Sequence, residues 1–289
     1  MAADRGPLLL DTADALARWR MAADGPVAFV PTMGNLHEGH LTLVREAARG
    51  ARHVIVSIFV NPAQFGPGED LERYPRSLQA DMDALQQTPC AAVWVPDVPT
   101  MYPEGLAARY RLRVPESLAG VLCGAHRPGH FDGVCDVVLR LLWQVRPTRM
   151  LLGEKDYQQL VILRRMVRDL SIPVEVRGVP TVRDEDGLAL SSRNAYLSEA
   201  ERRLAPTLHA ELQRVAQQAA HDGPGTYRAL EESCKTRLAE KGFKPEYVEI
   251  RSGDDLGPGN GRNDRVFGAA WLGRARLIDN VVISQQICC

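Results

Sequence analysis

The sequence predicts an α/β protein in which a parallel sheet covered by helices is followed by a smaller α+β domain. Up to residue 183, short apolar runs alternate with amphipathic segments, a pattern typical of strand–helix–strand units. After residue 194, two helical segments precede three β-type runs separated by turn-forming residues. The 289 residues, 45% of them hydrophobic, leave room for one large domain or two modest ones. We therefore predict a sheet domain at residues 1–187 and a smaller domain at residues 188–289.

Each predicted strand is a short apolar run, and each predicted helix has apolar residues at helical spacing. The first run, 27–30, is bounded by Pro26 and Pro31, which is typical of a buried parallel strand. The other strands of the sheet are predicted at 53–59, 92–95, 149–152 and 174–178. Its helices are predicted at 41–50, 78–87, 132–144 and 158–170. In the second domain we predict helices at 199–220 and 226–241 and strands at 247–250, 266–271 and 275–283.

The most informative stretch, residues 31–40, reads PTMGNLHEGH and places two imidazoles where the first strand gives way to a helix. That helix is predicted to begin at Glu38 or Gly39. A helix N-terminus offers unpaired N–H groups and a positive dipole end, and a glycine lets a polyphosphate approach the backbone closely. His37 and His40, three residues apart, would project from the same turn toward one anion. The stretch therefore predicts an ATP-phosphate site.

Other interpretations of the two histidines are weaker. A His-x-x-His pair alone is more often structural, and it lacks the His-x-x-x-His spacing of helical zinc sites. The context of strand, glycine turn and helix favours the phosphate site.

Further polar groups follow other predicted strands or precede helices, and each has a structural alternative. Asn61 and Gln64 begin a loop at 60–75 and suit either a small polar ligand or loop capping. Arg127, beside a glycine turn, suits either a carboxylate or plain solvation. Lys155 suits a phosphate or an exposed turn. Residues 191–193, Ser-Ser-Arg, suit a lid over phosphates or an ordinary helix cap.

The bulk composition excludes some classes of protein. A formal net charge of −1 gives no basic surface for nucleic acid. No apolar run approaches the about 18 residues that span a bilayer, and the N-terminal residues do not resemble a signal peptide. We therefore expect a cytoplasmic protein without nucleic-acid or membrane partners. The adjacent Cys288 and Cys289 are expected to oxidise if they are exposed.

Taken in order, seven short segments resemble the pantoate–β-alanine ligase family. They are PTMG at 31–34, FVNP at 59–62, YPR at 74–76, RPGHF at 127–131, GEKD at 153–156, LSSRN at 190–194 and RLIDN at 276–280. The resemblance covers nearly the whole chain, and the His-x-Gly-His core is similar to that of nucleotidylyltransferases and class I aminoacyl-tRNA synthetases. It implies a Rossmann-like parallel sheet domain of the HxGH nucleotidylyltransferase type that binds ATP and pantoate, with a smaller C-terminal α+β lid domain.

The resemblance also implies a reaction and its small-molecule substrates. Pantoate would attack the α-phosphate of ATP to give pantoyl adenylate and pyrophosphate, and β-alanine would then displace AMP to give pantothenate, the precursor of coenzyme A. Mg²⁺ is expected because the phosphates of ATP need a cation. A homodimer is implied by the family alone.

The same resemblance assigns site residues. The catalytic set would be His40, His37, Lys155 and Arg193, with His40 as proton donor. Gln64 and Gln159 would hold pantoate, Gln64 would also meet β-alanine, and Asp81 would contact the metal. The residues expected to border ATP are Met33, Gly34, Asn35, Leu36, His37, Glu38, Gly39, His40, Gly153, Glu154, Lys155, Asp156, Val182, Leu190, Ser191, Ser192 and Arg193.

Three rival functions remain distinguishable. An adenylyltransferase would stop at a nucleotide-linked product and use no amine. A class I aminoacyl-tRNA synthetase would need a basic surface and a tRNA-binding domain, for which the chain has neither the charge nor the length. A non-catalytic nucleotide-binding module would need no loop for a second substrate and would release no AMP.

Overall fold

The computed structural model describes residues 6–284 and divides into two compact units. The first contains the residues up to Val114 together with Arg127–Glu154 and Ile162–Pro180. The second contains Pro115–His126, Lys155–Val161 and the residues from Thr181 onward. The domain boundary after residue 187 stays a prediction. Cys288 and Cys289 lie outside the described residues.

The first unit contains a parallel sheet, as predicted, with six strands where the sequence predicts five. Its strands are β1 (Leu8–Leu10), β2 (Val27–Thr32), β3 (His53–Ile58), β4 (Ala92–Trp94), β5 (Arg149–Gly153) and β6 (Glu175–Val179). Their order across the sheet is β1-β4-β3-β2-β5-β6. The edge strand β1, which was not predicted, pairs with β4 through Leu8 opposite Ala92. Three apolar residues are too few to show a strand period.

The helices, in chain order, are α1 (Ala13–Ala22), α2 (Glu38–Ala48), α3 (Leu78–Gln86), α4 (Val98–Met101), α5 (Gly105–Ala108), α6 (Glu116–Ala119), α7 (Leu122–His126), α8 (His130–Val145), α9 (Tyr157–Asp169), α10 (Glu199–Leu204), α11 (Thr207–Asp222) and α12 (Tyr227–Glu240). Helix α1 and helices α4 to α7 were not predicted; the last four have only four or five residues each, too few to show a helical period. Within residues 6–284, no helix combines the length and apolar character needed to cross a membrane.

The strand order reverses beside β2, and this places the candidate site. From β2 the chain continues to β3 on one side, whereas β5 lies on the other side, with Ala28 opposite Arg149. Ligands of open parallel sheets bind beyond the carboxyl ends of the strands at such a switch point. The residues that follow Thr32 and Gly153 are therefore the expected ligand-binding segments of this sheet.

Apolar side chains from the sheet and from α2 hold these strands in place. Val30, Val56 and Val93 are fully buried, and Leu43 and Val44 of α2 pack in the same cluster. Strands that are buried on both faces read as continuous apolar runs, which is why β2 to β4 were predictable from sequence.

The second unit is α+β, as predicted. Its antiparallel sheet contains β7 (Lys244–Ser252), β8 (Asp264–Leu272) and β9 (Ala275–Val282) in that order. Leu212 of α11, Leu238 of α12 and Val266 of β8 belong to its apolar core. The prediction of one continuous helix at 199–220 is wrong, because the structure has two helices there, α10 and α11, separated by two residues. Pro206 stands at that break, and a proline cannot donate a helical hydrogen bond.

Candidate active site

The turn between β2 and α2 contains a residue, Gly34, in the left-handed backbone conformation that favours glycine. Gly34 has φ +82°, a conformation that costs glycine little, and Asn35 follows with φ 52°. A Cβ atom at Gly34 would lie 2.9 Å from Oδ2 of Asp81 and 3.1 Å from a methyl carbon of Ile58. The turn therefore passes too close to its neighbours to carry a side chain at this position.

Asp81 of α3 anchors this turn. Its Oδ2 accepts a hydrogen bond from the Asn35 N–H at 3.0 Å, and its Oδ1 accepts one from the Leu36 N–H at 2.7 Å. The residue is only 3% exposed. Burial raises the pKa of the Asp81 carboxyl, and the two backbone donors oppose that rise. Asp81 thus satisfies two buried backbone donors just before the histidines, whereas its predicted metal contact stays a prediction.

Both histidines use Nδ1 to cap the start of α2. Nδ1 of His37 accepts from the Gly39 N–H at 3.2 Å, and Nδ1 of His40 accepts from the His37 N–H at 3.3 Å. The two ring centroids are 4.1 Å apart. Because each Nδ1 accepts a hydrogen bond, the proton of each neutral ring is on Nε2. The sequence therefore builds a helix N-terminus that has two adjacent imidazole N–H donors.

Glu38, in the first turn of the same helix, is predicted to border ATP. Its carboxylate forms an ion pair with Arg45 on the half-exposed surface of α2. A carboxylate in the first turn complements the helix dipole.

A short turn after β3 carries Asn61 and Gln64 beside residues 33–40, which form the histidine turn. Asn61 caps the 3₁₀ segment Pro62–Gln64, since its Oδ1 accepts from the Ala63 N–H at 3.2 Å. Its Nδ2 donates to the Gly133 carbonyl and to Oε1 of Gln64, both at 3.1 Å. Nε2 of Gln64 lies 3.0 Å from the sulfur of Met33. The Gln64 amide is therefore held between Asn61 and the residue that follows β2.

The sequence left open whether Arg127 binds a carboxylate or is simply solvated, and the structure shows a carboxylate partner. Its Nε and NH2 donate to the two carboxylate oxygens of Glu69 at 2.7 and 2.5 Å, so it binds a carboxylate of this chain. Its NH1 lies 3.0 Å from Nε2 of His130, whose Nδ1 lies 2.8 Å from the carbonyl oxygen of Gln64. Burial alone would raise the pKa of Glu69, but the contact with Arg127 lowers it below its ordinary value. The Arg127–Glu69 pair therefore connects the loop after Gln64 to the residues that precede α8.

The predicted site residues are shared between the two units. Those from Met33 to His40, together with Gln64, Asp81, Gly153 and Glu154, lie in the first unit. There the structure brings the histidine turn, Asp81 and Gln64 together at the carboxyl end of β2. The predicted residues of the second unit are Lys155, Asp156, Gln159, Val182, Leu190, Ser191, Ser192 and Arg193.

In the second unit, Lys155 and Asp156 occupy a 3₁₀ turn directly after β5. Nζ of Lys155 lies 3.7 Å from Oδ2 of Asp156. The backbone carbonyl of Lys155 accepts a hydrogen bond from Nδ2 of Asn280 at 3.1 Å. The neighbouring Gln158 is buried and donates to two backbone carbonyls, whereas Gln159 is half-buried. Of the two glutamines, Gln159 is therefore the more accessible to a ligand.

A hairpin at residues 182–190 precedes Ser191, Ser192 and Arg193. The Leu190 N–H donates to the Val182 carbonyl at 3.0 Å, which closes the hairpin. Ser191 follows as the cap of the segment Ser192–Tyr196, its Oγ accepting from the Arg193 N–H at 3.3 Å. A cavity of about 10 Å³ lined by Lys155, Ser191 and others has space for about one water molecule.

Asp279 anchors this hairpin through an ion pair with Arg183. In the sequence it was visible only as part of the RLIDN segment. Its two oxygens accept from the guanidinium of Arg183 at 2.6 and 2.8 Å, and Nδ1 of His209 lies 3.1 Å away. Arg183 also donates to the Gly187 carbonyl in the tip of the hairpin. Burial alone would raise the pKa of Asp279, but its contacts with His209 and Arg183 lower it below the ordinary value.

Asp279→Asn should therefore reduce the free energy of unfolding at neutral pH. A carboxyl whose pKa is lowered on folding stabilises the protein above its unfolded pKa of about 3.9, and this contribution is lost as the pH falls through the folded value. The difference in unfolding free energy between the wild type and the variant should shrink as the pH falls from about 5 to 3. Urea titrations across this range measure it, and a difference independent of pH would contradict the assignment.

Comparison with known proteins agrees with this arrangement. A family model described as pantoate-beta-alanine ligase matches residues 9–282. The pantothenate synthetase of Acidithiobacillus ferrooxidans is 50% identical over 93% of this chain and 97% of its own, and that of Ectopseudomonas mendocina is 50% identical over 89% and 90%.

Solved structures give the same result. Pantothenate synthetase from Thermus thermophilus matches with a TM-score of 0.87 and 46% identity over 96% of this chain and 99% of its own. Pantoate-beta-alanine ligase from Francisella tularensis, complexed with beta-gamma ATP and beta-alanine, matches with a TM-score of 0.82 and 33% identity over 96% and 98%. The chain therefore belongs to the pantoate–β-alanine ligase family.

Proposed function

We propose that the protein condenses pantoate with β-alanine in two steps driven by ATP. In the first, a carboxylate oxygen of pantoate bonds to the α-phosphorus, and the bond to the bridging oxygen breaks to release pyrophosphate. In the second, the amine of β-alanine attacks the acyl carbon of the adenylate, AMP leaves with the bonding electrons, and the amine proton passes to solvent or to the leaving phosphate. The products are pantothenate, AMP and pyrophosphate.

The capped histidine turn carries this proposal. Negative charge develops on the α-phosphate and on the departing pyrophosphate, and donors that are already oriented stabilise it most effectively. His37 and His40 are oriented by the backbone hydrogen bonds that their Nδ1 atoms accept. We assign them to the phosphates, with the Nε2–H of His40 as the hydrogen-bond donor to the leaving group.

The second unit supplies the remaining positive and polar donors in this proposal. Lys155 and Arg193 would neutralise phosphate charge, and Ser191 and Ser192 would donate to phosphate oxygens. Ser191 is suited to such a role because its turn is already closed by a backbone hydrogen bond. The nucleotide would lie against the backbone of residues 153–156 and 190–193 and against Val182.

Pantoate and β-alanine are assigned to uncharged amides. Gln64 and Gln159 would hold the hydroxyl and carboxylate groups of pantoate, and Gln64 would also meet β-alanine. The relative from Francisella tularensis was solved with beta-alanine, which supports use of this amine by the family.

Mg²⁺ would enter with ATP. No group of three His, Cys, Asp or Glu side chains within residues 6–284 is arranged to hold a metal ion. Such a cage is not required, because Mg²⁺ in nucleotide sites is bound by phosphates, waters and one or two carboxylates. We propose Asp81 as the carboxylate, since each of its oxygens keeps lone pairs beyond the backbone bonds. When bound, the ion would neutralise phosphate charge.

A cytoplasmic homodimer completes the proposal and rests on the family resemblance. Sedimentation equilibrium on the purified protein tests the oligomeric state, and a mass of one chain at micromolar concentration would overturn the dimer.

Product analysis tests the reaction. The purified protein is incubated with ATP, Mg²⁺ and pantoate, with and without β-alanine, and pyrophosphate, AMP and pantothenate are followed. AMP and pantothenate that appear only with β-alanine would establish the ligase. Pyrophosphate without any product that depends on the amine would indicate an adenylyltransferase, and no turnover of ATP would indicate a binding module.

Gln64→Ala should raise the KM for pantoate by about tenfold and leave the KM for ATP within about twofold, the effect of losing one hydrogen bond to a bound substrate. Steady-state kinetics with each substrate varied in turn measure this. Gln217→Ala, on the exposed face of α11, is the matched control. A loss of ATP affinity alone in the Gln64 variant would contradict the assignment.

A further inference from the structure

Tyr102, at the end of α4, is a fully buried side chain outside the assigned site. It is 2% exposed. The guanidinium carbons of Arg109 and Arg140 lie 5.7 and 5.0 Å from its ring centroid. Both arginines pair with the buried Asp136, at 2.7 and 3.1 Å. The ring is therefore held between two cations that a single carboxylate fixes in place.

The hydroxyl of Tyr102 points at Asn61. It donates to Oδ1 of Asn61 at 2.7 Å, in a fully buried contact. Burial, together with the charge of Asp136, raises the pKa of Tyr102 to about 12, so the phenol keeps its proton at neutral pH. Since the phenol is the donor, the Asn61 atom that faces it must be the oxygen.

That orientation determines what Asn61 offers to Gln64. With its oxygen toward Tyr102, Asn61 has its nitrogen toward Oε1 of Gln64, at 3.1 Å. Because Oε1 of Gln64 accepts this bond, its Nε2 is directed to the sulfur of Met33. A thioether is a weak acceptor, so a substrate oxygen can replace it at Nε2. The Ala63 N–H and the Gly133 carbonyl favour the same orientation of the Asn61 amide, so the Tyr102 hydroxyl is one of three restraints on the direction of the Gln64 donor.

We infer that Tyr102 is a positioning residue for the pantoate subsite, acting on Gln64 through Asn61. This inference rests on the proposed function, in which Gln64 binds pantoate. Without the hydroxyl, the Asn61–Gln64 pair keeps fewer of its restraints, and Gln64 spends a smaller fraction of time in the binding orientation. An apparent affinity falls in proportion to that fraction.

Tyr102→Phe tests the inference, because it removes only the hydroxyl. The expected result is a rise of about three- to tenfold in the KM for pantoate, the range for one buried hydrogen bond, with the KM for ATP unchanged. Tyr227→Phe is the matched control: it removes another buried hydroxyl, which donates to Asp264 at 2.9 Å in the second unit. The control should leave the KM for pantoate unchanged. KM does not depend on the amount of active enzyme, so the readout survives partial unfolding of either variant.

A double-mutant cycle separates this inference from the proposed function. If Tyr102 acts through Gln64, then Tyr102→Phe should change the KM for pantoate by less than about twofold when added to Gln64→Ala. An equal fold-change in both backgrounds, or none in the wild type, would overturn the role of Tyr102. A Gln64→Ala variant with a normal KM for pantoate would instead overturn the pantoate assignment itself.

Discussion

His40→Gln should lower the kcat for pyrophosphate release by at least about 10²-fold, the usual effect of losing one donor that stabilises a developing anion. The choice of glutamine matters, because His40 occupies the third position of α2 and its Nδ1 accepts from the His37 N–H. Glutamine at this position forms the same capping bond through its side-chain oxygen. The variant therefore keeps the helix start and removes the imidazole.

Two further variants complete this experiment. His40→Ala removes both the cap and the donor and should lose at least as much activity. His221→Gln makes the same substitution at an exposed residue of α11 and should have normal kinetics. Pantoyl adenylate formation near the wild-type rate in His40→Gln, with loss in His40→Ala, would show that the residue only caps the helix.

Gly133→Ala should lower kcat/KM for pantoate by about 10²-fold, because it displaces the turn that carries Gln64. A Cβ at Gly133 of α8 would lie 2.2 Å from the Ala63 carbonyl oxygen and 2.8 Å from the Cα of Gln64. These are backbone atoms, so no side-chain rotation relieves the overlap. The turn must move away and lose the bond from Asn61 to the Gly133 carbonyl. Overpacking of this kind also costs about 1–3 kcal/mol of stability.

Kinetics with pantoate varied and urea unfolding measure the two effects of Gly133→Ala separately. Gly225→Ala is the control, since a Cβ there would meet no atom within 4 Å. Reduced stability with unchanged pantoate kinetics in the Gly133 variant would mean that the displaced turn does not bind pantoate. Normal pantoate kinetics together with normal stability would mean that α8 and the turn that carries Gln64 can move apart at little energetic cost.

The fold class and the family were both predicted correctly from the sequence, for physical reasons that differ. Buried parallel strands such as β2 and β3 are continuous apolar runs, which a local window detects. The turn from Gly34 to His40 combines a glycine, two imidazoles and a helix start within a few residues, so its chemistry is also local. The assignment of individual site residues remains a prediction that the variants above test.

The contacts that orient these groups were not predictable, because they join distant segments. Asp81 lies 46 residues from Asn35, and Asp279 lies 96 residues from Arg183. A buried aspartate has no periodic signal, and its partner depends on which elements pack together. Tyr102 follows a helix of four residues and resembles any other aromatic core residue in the sequence. Its role becomes visible only when its hydroxyl is placed against Asn61.

The pairing of β1 with β4 has a consequence for folding order. Leu8 lies opposite Ala92, so the two strands meet only after a loop of about eighty residues has closed. Contacts of such separation form slowly, because the chain entropy is lost before the strands gain any stabilisation. During synthesis, β1 must therefore remain unpaired until β4 has been made. The order of strands in the sheet is thus not the order in which they can form it.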